Sequence, residues 1–476
     1  MCGIAGIVES SGKPVSTQSI ETMCRALQHR GPDDEGVVDV GSKSTSDRKA
    51  SAVLGNRRLS VIDVDGGHQP ISNEDGTVWT VLNGEIYNYR ELRKSLEEAG
   101  HYFMTSSDTE VIVHAYEMYA DKFVEYLDGM FAIAIWDTRR QQLLLARDRF
   151  GKKPLLYAQR DSWCAFASEL QALLVLPEIQ REIDPAAVGS YLSYMAVPAP
   201  QTIYRSIRKL PPAHVLIFKD GRASLRRYWQ LSFVPKQDLS DVEAAERSVE
   251  LLRDAVRKRL VSDVPIGAFL SGGVDSSAVV ALMAELSGQP VKTFSIGFDE
   301  EAYNELPYAR RVAEEFGCDH HEFVVQPKAI EVLPRLVQHF GEPFADSSAI
   351  PTSYVAALTR EHVTVALTGD GGDEVFGGYG RHRANMLAEA VAATLSSESM
   401  RDGVKSLVRS SRDQSGTVAR IKRFMYAATA TRAERYRAWA GVLSDDLIAE
   451  VFPTVTETDE AVREMFEKYR TLDAID

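Results

Sequence analysis

A cysteine at position 2 is the first residue of the chain with the means for covalent chemistry. If Met1 is removed, the thiol and a free α-amine belong to the same residue. A free α-amine has a pKa of about 7.7–8.0 and a thiol a pKa of about 8.5. The amine can therefore accept the proton of its own thiol, the N-terminal nucleophile arrangement, and we expect the mature chain to begin at Cys2. The alternative is that Cys2 is a small apolar residue at the edge of the first strand.

A second segment whose residue types could take part in ligand binding or catalysis is Ser271-Gly272-Gly273-Val274-Asp275-Ser276-Ser277. It lies between an apolar segment that ends at Leu270 and a predicted helix. Two glycines let the backbone approach a phosphate, and the helix N-terminus supplies N–H donors. The segment lacks the lysine-containing pattern that holds β and γ phosphates. A plain strand-to-helix turn with a serine cap is the alternative.

Five segments in the first half of the chain resemble class II glutamine amidotransferases. In that family's order, they are Met1-Cys2-Gly3-Ile4-Ala5-Gly6-Ile7-Val8, His29-Arg30-Gly31-Pro32-Asp33, Arg58-Leu59-Ser60, Asn83-Gly84-Glu85-Ile86-Tyr87-Asn88 and Ser107-Asp108-Thr109-Glu110. The resemblance implies that Cys2 attacks glutamine, giving a thioester and free ammonia.

The same resemblance implies a role for each residue of a glutamine pocket. Arg58 would hold the α-carboxylate with paired hydrogen bonds, although a surface ion pair is its simpler interpretation. Glu85 and Asp108 would bind the α-ammonium group. The side-chain amide of Asn83 and the N–H of Gly84 would stabilise the oxyanion. The residues whose backbone would line this pocket are Leu59, Ser60, Val61 and Ile62.

In the second half, residues 271–277 are similar to the signature of ATP pyrophosphatases, the group that includes asparagine synthetases. A second match is Thr368-Gly369-Asp370-Gly371-Gly372-Asp373-Glu374-Val375-Phe376-Gly377-Gly378-Tyr379. The resemblance places ATP contacts at Leu270, Ser271, Gly272, Gly273, Asp275, Ser276, Ser277, Ile296, Thr368 and Gly369. Asp275 and Asp373 fall on its magnesium-binding positions, and carboxylates combined with phosphate oxygens suit Mg²⁺.

Two departures from the family pattern leave alternatives open. Asp370 stands where well-known asparagine synthetases carry a glutamate that is tied to the acyl-adenylate step. The activated acid is then aspartate or another carboxylate, such as a cell-wall or glycan acceptor. The family also continues into a Val-Asp-Arg motif and a catalytic lysine that have no match here. A non-catalytic nucleotide-binding regulator is therefore a third interpretation, and we expect these 476 residues to hydrolyse glutamine but to make little amide.

The pattern of secondary structure predicts two different halves. The first reads as short strands at about 4–8, 53–56, 78–82, 130–136, 143–147 and 164–168, with helices from about 89 and over 109–119, which indicates an α+β fold. The resemblance implies the α-β-β-α layers of an N-terminal nucleophile hydrolase. After a polar linker, strands alternate with helices, which predicts a doubly wound parallel α/β sheet. We predict domains at 1–228 and 242–476, with 229–241 as the linker.

Composition restricts the partners. The net charge of −14, from 68 acidic and 54 basic residues, argues against a nucleic-acid surface. No apolar run reaches the length of a membrane span, and no signal sequence precedes the first strand. The four cysteines show no paired or metal-binding spacing, which favours a reducing cytoplasm. We expect glutamine, ATP and a carboxylic acid as substrates, and a homodimer as a possible assembly.

Overall fold

The computed structural model describes residues 1–41, 50–301, 304–326, 328–394, 398–409, 416–441, 443 and 445–453. Contacts between Cα atoms divide the chain into two compact units. The first contains Met1–Ile183, Ala199–Glu342 and Ser347–Thr368, and the second contains Asp184–Pro198, Pro343–Asp346 and the described residues from Gly369 onward. Within these described ranges, no helix has both the length and the apolar composition that a membrane crossing requires.

Residues 1–228 form twelve strands and five α-helices in the described ranges. In chain order they are β1 (Gly3–Glu9), α1 (Thr17–Ala26), β2 (Asp34–Asp39), β3 (Ser51–Arg58), β4 (Ile71–Ser72), β5 (Val78–Ile86), α2 (Tyr89–Glu98), α3 (Glu110–Tyr119), β6 (Gly129–Asp137), β7 (Gln142–Arg147), β8 (Leu156–Arg160), β9 (Trp163–Ala167), α4 (Leu170–Leu174), α5 (Pro185–Tyr194), β10 (Arg208–Lys209), β11 (His214–Lys219) and β12 (Arg222–Arg227). The predicted strands are confirmed as β1, β3, β5, β6, β7 and β9, and the predicted helices as α2 and α3.

The twelve strands form two six-stranded antiparallel sheets, in the orders β10-β8-β9-β1-β3-β2 and β12-β11-β7-β6-β5-β4. Successive side chains of a strand point to opposite faces. Along β1, Ile4 and Val8 therefore join the core between the two sheets, whereas Ala5 and Ile7 join a core that also contains residues of α1 and α4. A third core joins the second sheet to α2 and α3. These three cores confirm the α-β-β-α layers.

The remaining described elements alternate between helices and parallel strands and then become helical. They are α6 (Asp241–Arg259), β13 (Ile266–Phe269), α7 (Val274–Leu286), β14 (Lys292–Gly297), α8 (Leu306–Glu315), β15 (Asp319–Val324), α9 (Ala329–Phe340), α10 (Ala349–Arg360), β16 (Val365–Leu367), α11 (Gly372–Phe376), α12 (Gly380–Thr394), α13 (Glu398–Arg409), α14 (Gly416–Thr429), α15 (Arg432–Ala440) and α16 (Asp445–Val451).

The third sheet is parallel, with strand order β15-β14-β13-β16. The chain moves from β13 to β14 and β15 in one direction and then returns to place β16 on the other side of β13. This reversal confirms the doubly wound fold and creates a switch point between β13 and β16. Open α/β sheets bind ligands outside the carboxyl ends of their strands at such a point.

Two helices of this region, α6 and α7, flank the first strand of the parallel sheet in the chain. The helix predicted after the glycine-rich segment is α7, which begins at Val274, directly after Gly273 in the extended conformation of a helix N-cap. Along α6, Val256 is buried in the core of this region, and Leu252 packs against the same core. Val249, one turn earlier than Leu252, is 47% exposed, so the core contact of this helix face begins after Val249.

Candidate active site

Cys2 lies immediately before β1, an interior strand of the first sheet, and is buried. Its Sγ is 3.4 Å from the backbone nitrogen of Leu59, which follows the neighbouring strand β3. The carbonyl oxygen of Cys2 accepts a hydrogen bond of 2.9 Å from Arg30 Nε, and Arg30 is in turn held by Glu169 at 2.6 Å. The cysteine is thus held on both sides, and a backbone N–H donor points at its sulfur.

Burial controls the protonation of the groups around this sulfur. It raises the pKa of the Cys2 thiol, which the nearby N-terminal amine and the Leu59 N–H oppose. The amine belongs to Met1 here, and burial, with help from the charges of Arg30 and Lys153, lowers its pKa to about 5. Burial thus favours an uncharged amine, the form that can accept a proton.

Glu85, which is partly buried, and Asp108, which is buried, form a pair of acids. Burial raises the pKa of Asp108 to about 6. Burial and the charge of Asp108 together raise the pKa of Glu85 well above its ordinary value. One Asp108 oxygen accepts a hydrogen bond of 2.8 Å from the Ile86 backbone nitrogen, which ties the two acids to the end of β5. Two acids in this setting have the charge that would pair with an ammonium group.

The pair supports a prediction about stability and pH. A carboxyl whose pKa rises on folding, from 3.8 to about 6 for Asp108, favours folding below pH 3.8 and loses that contribution as the pH rises through 6. Asp108→Asn can keep the acceptor for Ile86 without the charge. We expect it to match wild-type stability near pH 4 and to exceed it at pH 8 by up to about 3 kcal/mol. Urea unfolding at both pH values measures the difference.

Asp75→Asn is the matched control, for which we expect the opposite change in stability at pH 8. A hydrogen bond from the Thr77 hydroxyl lowers the pKa of Asp75. This group favours folding above its unfolded pKa, so its amide variant should be less stable than wild type at pH 8. If Asp108→Asn also loses stability at pH 8, the Asp108 carboxylate is stabilising and our account of the acid pair is incorrect.

Asn83 and Gly84 lie inside β5, opposite Ala132 and Phe131 of β6, and not in the hairpin turn that this dipeptide usually marks. Asn83 is fully buried. Neither its side-chain nitrogen nor its side-chain oxygen has a hydrogen-bond partner among the residues described. Buried amides normally have partners, so this unpaired amide is suited to a ligand oxygen.

Gly84 permits a close approach between β5 and β6. A Cβ atom at this position would lie 2.1 Å from the carbonyl oxygen of Met130. We expect Gly84→Ala to force the strands apart, to cost about 1–3 kcal/mol of stability and to impair glutaminase activity. Thermal unfolding and initial rates measure both effects. Gly288→Ala, where a Cβ meets nothing within 4 Å, is the control that should leave both unchanged; equal behaviour of the two variants would contradict the prediction.

The guanidinium of Arg58 already has hydrogen-bond partners within the protein. Its terminal nitrogens donate to the carbonyl oxygens of Val64, Ile62 and Asp63 at 3.0, 2.8 and 2.6 Å. It therefore shapes the loop after β3, and it also lines a cavity of about 560 Å³.

The backbone of this loop is also held by neighbouring groups. The backbone nitrogen of Ser60 donates to an Asp33 carboxylate oxygen at 3.0 Å, and the Val61 oxygen accepts from the Asp263 nitrogen at 2.9 Å. An Asp263 carboxylate oxygen accepts in return from the Asp63 nitrogen at 2.7 Å. The loop proposed to line the glutamine pocket is thus bonded to the segment that leads into β13.

Sequence reasoning missed Lys153. This lysine is 5% exposed, its Nζ lies 3.0 Å from Met1 Sδ, and its charge acts on both Cys2 and Glu85. Burial lowers its pKa to about 8. The surrounding segment reads as a polar turn, and no apolar periodicity indicates that this side chain turns inward.

The glycine-rich loop between β13 and α7 has the form of a phosphate cradle. Gly272 has φ +80°, and a Cβ there would lie 2.5 Å from Tyr308 Cβ, so glycine is required. The Ser271 and Ser276 hydroxyl oxygens are 3.0 Å apart. The hydroxyl of Ser277 is buried with no hydrogen-bond partner in the described part of the chain. Asp275 lies in the first turn of α7, near N–H groups that favour an anion.

The other ATP-contact candidates divide between the two units. Leu270 is buried, and its nitrogen donates to the Phe294 oxygen at 2.9 Å. Ile296 lies in β14, and Thr368 follows β16, so all three are at or near the carboxyl ends of neighbouring strands in the first unit. Gly369 and Asp370 belong to the second unit, where Asp373 lies in the first turn of α11.

Comparison with known proteins agrees with both halves of this description. Residues 1–229 match a family model described as a glutamine amidotransferase domain, and residues 248–474 match one described as asparagine synthase. A solved structure of glutamine phosphoribosylpyrophosphate amidotransferase from Bacillus subtilis is 18% identical with a TM-score of 0.36, and the match covers 68% of this chain and 82% of that one. That likeness is too weak to add to the fold described above.

Full-length relatives give the stronger result. Asparagine synthetase (glutamine-hydrolysing) 1 of Bacillus subtilis strain 168 is 39% identical over 388 residues, which cover 80% of this chain and 60% of that protein. The chain thus spans about three fifths of the length of this relative. A putative asparagine synthetase (glutamine-hydrolysing) 2 of Methanocaldococcus jannaschii is 38% identical over 404 residues, which cover 80% of this chain and 76% of that protein. By these matches, the chain belongs to the glutamine-hydrolysing asparagine synthetase family.

Proposed function

We propose that the protein hydrolyses glutamine at Cys2 and uses the ammonia to convert an ATP-activated carboxylate, aspartate, into its amide. The products are asparagine, glutamate, AMP and pyrophosphate. The observation that carries the proposal is the position of Cys2, whose buried sulfur meets a backbone N–H donor in the same domain as the unpaired amide of Asn83. Family membership supports the ATP-dependent half.

In the glutaminase half, once Met1 has been removed, the α-amine of Cys2 takes the proton of the Cys2 thiol, and Sγ attacks the amide carbon of glutamine. The negative charge that develops on the amide oxygen is met by the Asn83 side-chain N–H and the Gly84 N–H. The C–N bond then breaks, ammonia leaves with the transferred proton, and a thioester remains. Water hydrolyses the thioester to glutamate and restores the thiol.

The acids at the other end of the pocket bind the substrate. Glu85 and Asp108 would hold the glutamine α-ammonium, and a bound cation would offset the burial that raises both their pKa values. Arg58 would bind the α-carboxylate of glutamine. Its contacts with Ile62, Asp63 and Val64 mean that it would do so from a guanidinium already anchored to the pocket loop.

In the synthetase half, the carboxylate oxygen attacks the α-phosphorus of ATP, and pyrophosphate leaves. Activation is required because hydroxide is a poor leaving group, whereas AMP is a good one. We propose that residues 271–277 hold the phosphates, that Leu270, Ile296, Thr368 and Gly369 contact the nucleotide, and that Asp370 serves the adenylation step. Asp275 and Asp373 are carboxylates of the kind that bind Mg²⁺ together with phosphate oxygens; the ion would neutralise charge on the phosphates.

Pyrophosphate exchange tests this half of the proposal. Any exchange of pyrophosphate into ATP should depend on aspartate, and the nucleotide products should be AMP and pyrophosphate, because the loop at Ser271 lacks the lysine that binds β and γ phosphates. Asp275→Asn should abolish exchange, whereas Asp319→Asn, a surface acid paired with Lys292, should not change it. ADP and phosphate as products would contradict the mechanism.

The same assay separates the alternatives on the acceptor. Asp370 stands in place of the glutamate of well-known asparagine synthetases. This difference supports a cell-wall or glycan carboxylate as the second candidate for the acceptor. Exchange with such an acid but not with aspartate would select it, and nucleotide binding without exchange would select a regulatory relative.

We further propose domains at 1–228 and 242–476, a linker at 229–241, a cytoplasmic location consistent with four free cysteines, and a homodimer as a possible assembly.

A further inference from the structure

A cluster of histidines and glutamates lies in the amidotransferase half, apart from the residues assigned above. Glu74, between β4 and β5, His101, which follows α2, and His114 of α3 place one donor atom each within 4.8 Å of one another. Glu117, one turn after His114, faces both imidazoles. Three separate elements are therefore needed to assemble this histidine–glutamate cluster.

Three distances between donor atoms of these residues are close to those around a four-coordinate cation. Glu117 Oε2 is 3.4 Å from His114 Nδ1 and 3.6 Å from His101 Nδ1, and Glu74 Oε1 is 3.9 Å from His114 Nδ1. Zinc binds histidine nitrogen and carboxylate oxygen at about 2.0–2.2 Å in a tetrahedron, so its ligand atoms are about 3.3–3.6 Å apart. The two distances to Glu117 already match this spacing, whereas Glu74 would have to move closer to the imidazoles.

The surroundings of His114 provide a second, independent indication. Its side chain is 1% exposed, and its Nε2 has no hydrogen-bond partner among the described residues. Nε2 faces Glu110 Oε1 at 3.7 Å. Binding a metal through Nδ1 places the ring proton on Nε2, directed at a carboxylate, which is the usual support of a metal-bound histidine.

The carboxylates are themselves held in position. Glu117 Oε1 accepts from Asn73 Nδ2 at 2.7 Å, which leaves Oε2 to face the imidazoles. Glu110 accepts from the backbone nitrogens of Met104 and Thr105, both at 2.7 Å. Glu74 is 38% exposed, so solvent reaches the cluster and an ion could enter.

We propose that Glu74, His101, His114 and Glu117 bind one Zn²⁺-like divalent ion. Two carboxylates and two neutral imidazoles balance its charge, and imidazole ligands favour zinc over magnesium or calcium. Four protein ligands fill the tetrahedral coordination of the ion and leave no open position for catalysis, so the site would be structural. Since α3 begins two residues after Asp108, the ion would stabilise the segment that carries one acid of the proposed ammonium site.

Direct metal binding to the full chain tests the proposal. After chelator treatment, wild-type protein titrated with Zn²⁺ against a chromophoric competitor should bind about one tight equivalent, and Co²⁺ should give a tetrahedral absorption spectrum. His101→Gln and Glu117→Gln should each weaken Zn²⁺ binding at least about tenfold, and Glu110→Gln about 10-fold to 100-fold. Zn²⁺ should raise the Tm of wild type and not that of His101→Gln.

His214→Gln is the matched control, since this partly buried imidazole hydrogen-bonds to the Pro212 carbonyl oxygen and not to a carboxylate. It should bind Zn²⁺ as wild type does. The proposal is overturned if wild-type protein binds no tight Zn²⁺, or if His101→Gln binds it as well as wild type. Binding that survives in His101→Gln but disappears in Cys2→Ala would assign the ion to the thiol and would equally overturn it.

Discussion

Replacing Cys2 with alanine should abolish glutaminase turnover, with kcat lowered by at least about 10⁴-fold, the scale of losing a catalytic nucleophile. An alanine methyl group cannot attack the glutamine amide, and it leaves the Leu59 N–H without the sulfur that it faces in the wild type. ATP–pyrophosphate exchange, and any synthesis driven by added ammonia, should be unchanged, because the thiol only releases ammonia. Stopped assays of glutamate release and exchange measure the two halves separately.

Cys24→Ala is the matched control for this variant. Cys24 is also a fully buried cysteine, but it packs in the apolar core with Ile20 and Leu27. Its variant should lose about 1 kcal/mol of stability through lost packing and keep its glutaminase activity. If Cys2→Ala unfolds, or if it loses exchange together with glutaminase activity, then Cys2 is structural and the proposed nucleophile is incorrect.

Asn83→Leu should lower glutaminase activity without lowering the stability of the protein. Loss of one oxyanion donor lowers kcat by about 10²–10³, or about 2.7–4 kcal/mol of barrier. Stability should stay the same or rise, because the buried polar atoms of Asn83 have no protein partner among the described residues, and an apolar group of similar shape removes their desolvation cost. Glutaminase kcat and urea unfolding of the same preparation are the two measurements.

Asn56→Leu provides the comparison. Asn56, in the adjacent sheet, is equally buried, but its Nδ2 donates to Gln69 Oε1 at 3.2 Å and to the Leu82 oxygen at 3.3 Å. Losing these bonds should cost about 1–3 kcal/mol of stability. A loss of stability in Asn83→Leu as large as in Asn56→Leu would mean that the Asn83 amide serves the fold and not an oxyanion.

Much of the architecture could be predicted from local patterns. Residues 130–136 are apolar without a break because both faces of β6 are buried, and their β-branched and aromatic content predicts a strand. The alternation of strands with helices after residue 241 predicts the parallel sheet, since parallel strands need a crossover connection between them. Short elements such as β4 and β10, each of two residues, carry too few side chains to show any period.

Local patterns also mislead where the backbone conformation depends on its neighbours. Asn83-Gly84 is typical of a turn, yet it lies within β5 because Gly84 allows the carbonyl of Met130 to approach. Arg58 is a reasonable carboxylate ligand by residue type, but three backbone carbonyls of its own loop fold around it. A side chain's partners are decided by the path of the loop, which residue types alone do not specify.

The sequence by itself determined the family, the order of the domains and the identity of the chemical groups, because its motifs combine specific residue types at short spacings. Only the tertiary structure decided which groups meet. It buries Lys153 near Cys2 and Glu85, leaves the amide of Asn83 without a partner among the described residues, and brings Glu74, His101 and His114 together from three elements. The physical reason is that burial and proximity between distant segments set pKa values, unpaired donors and ligand geometry, and these depend on how whole layers pack against one another.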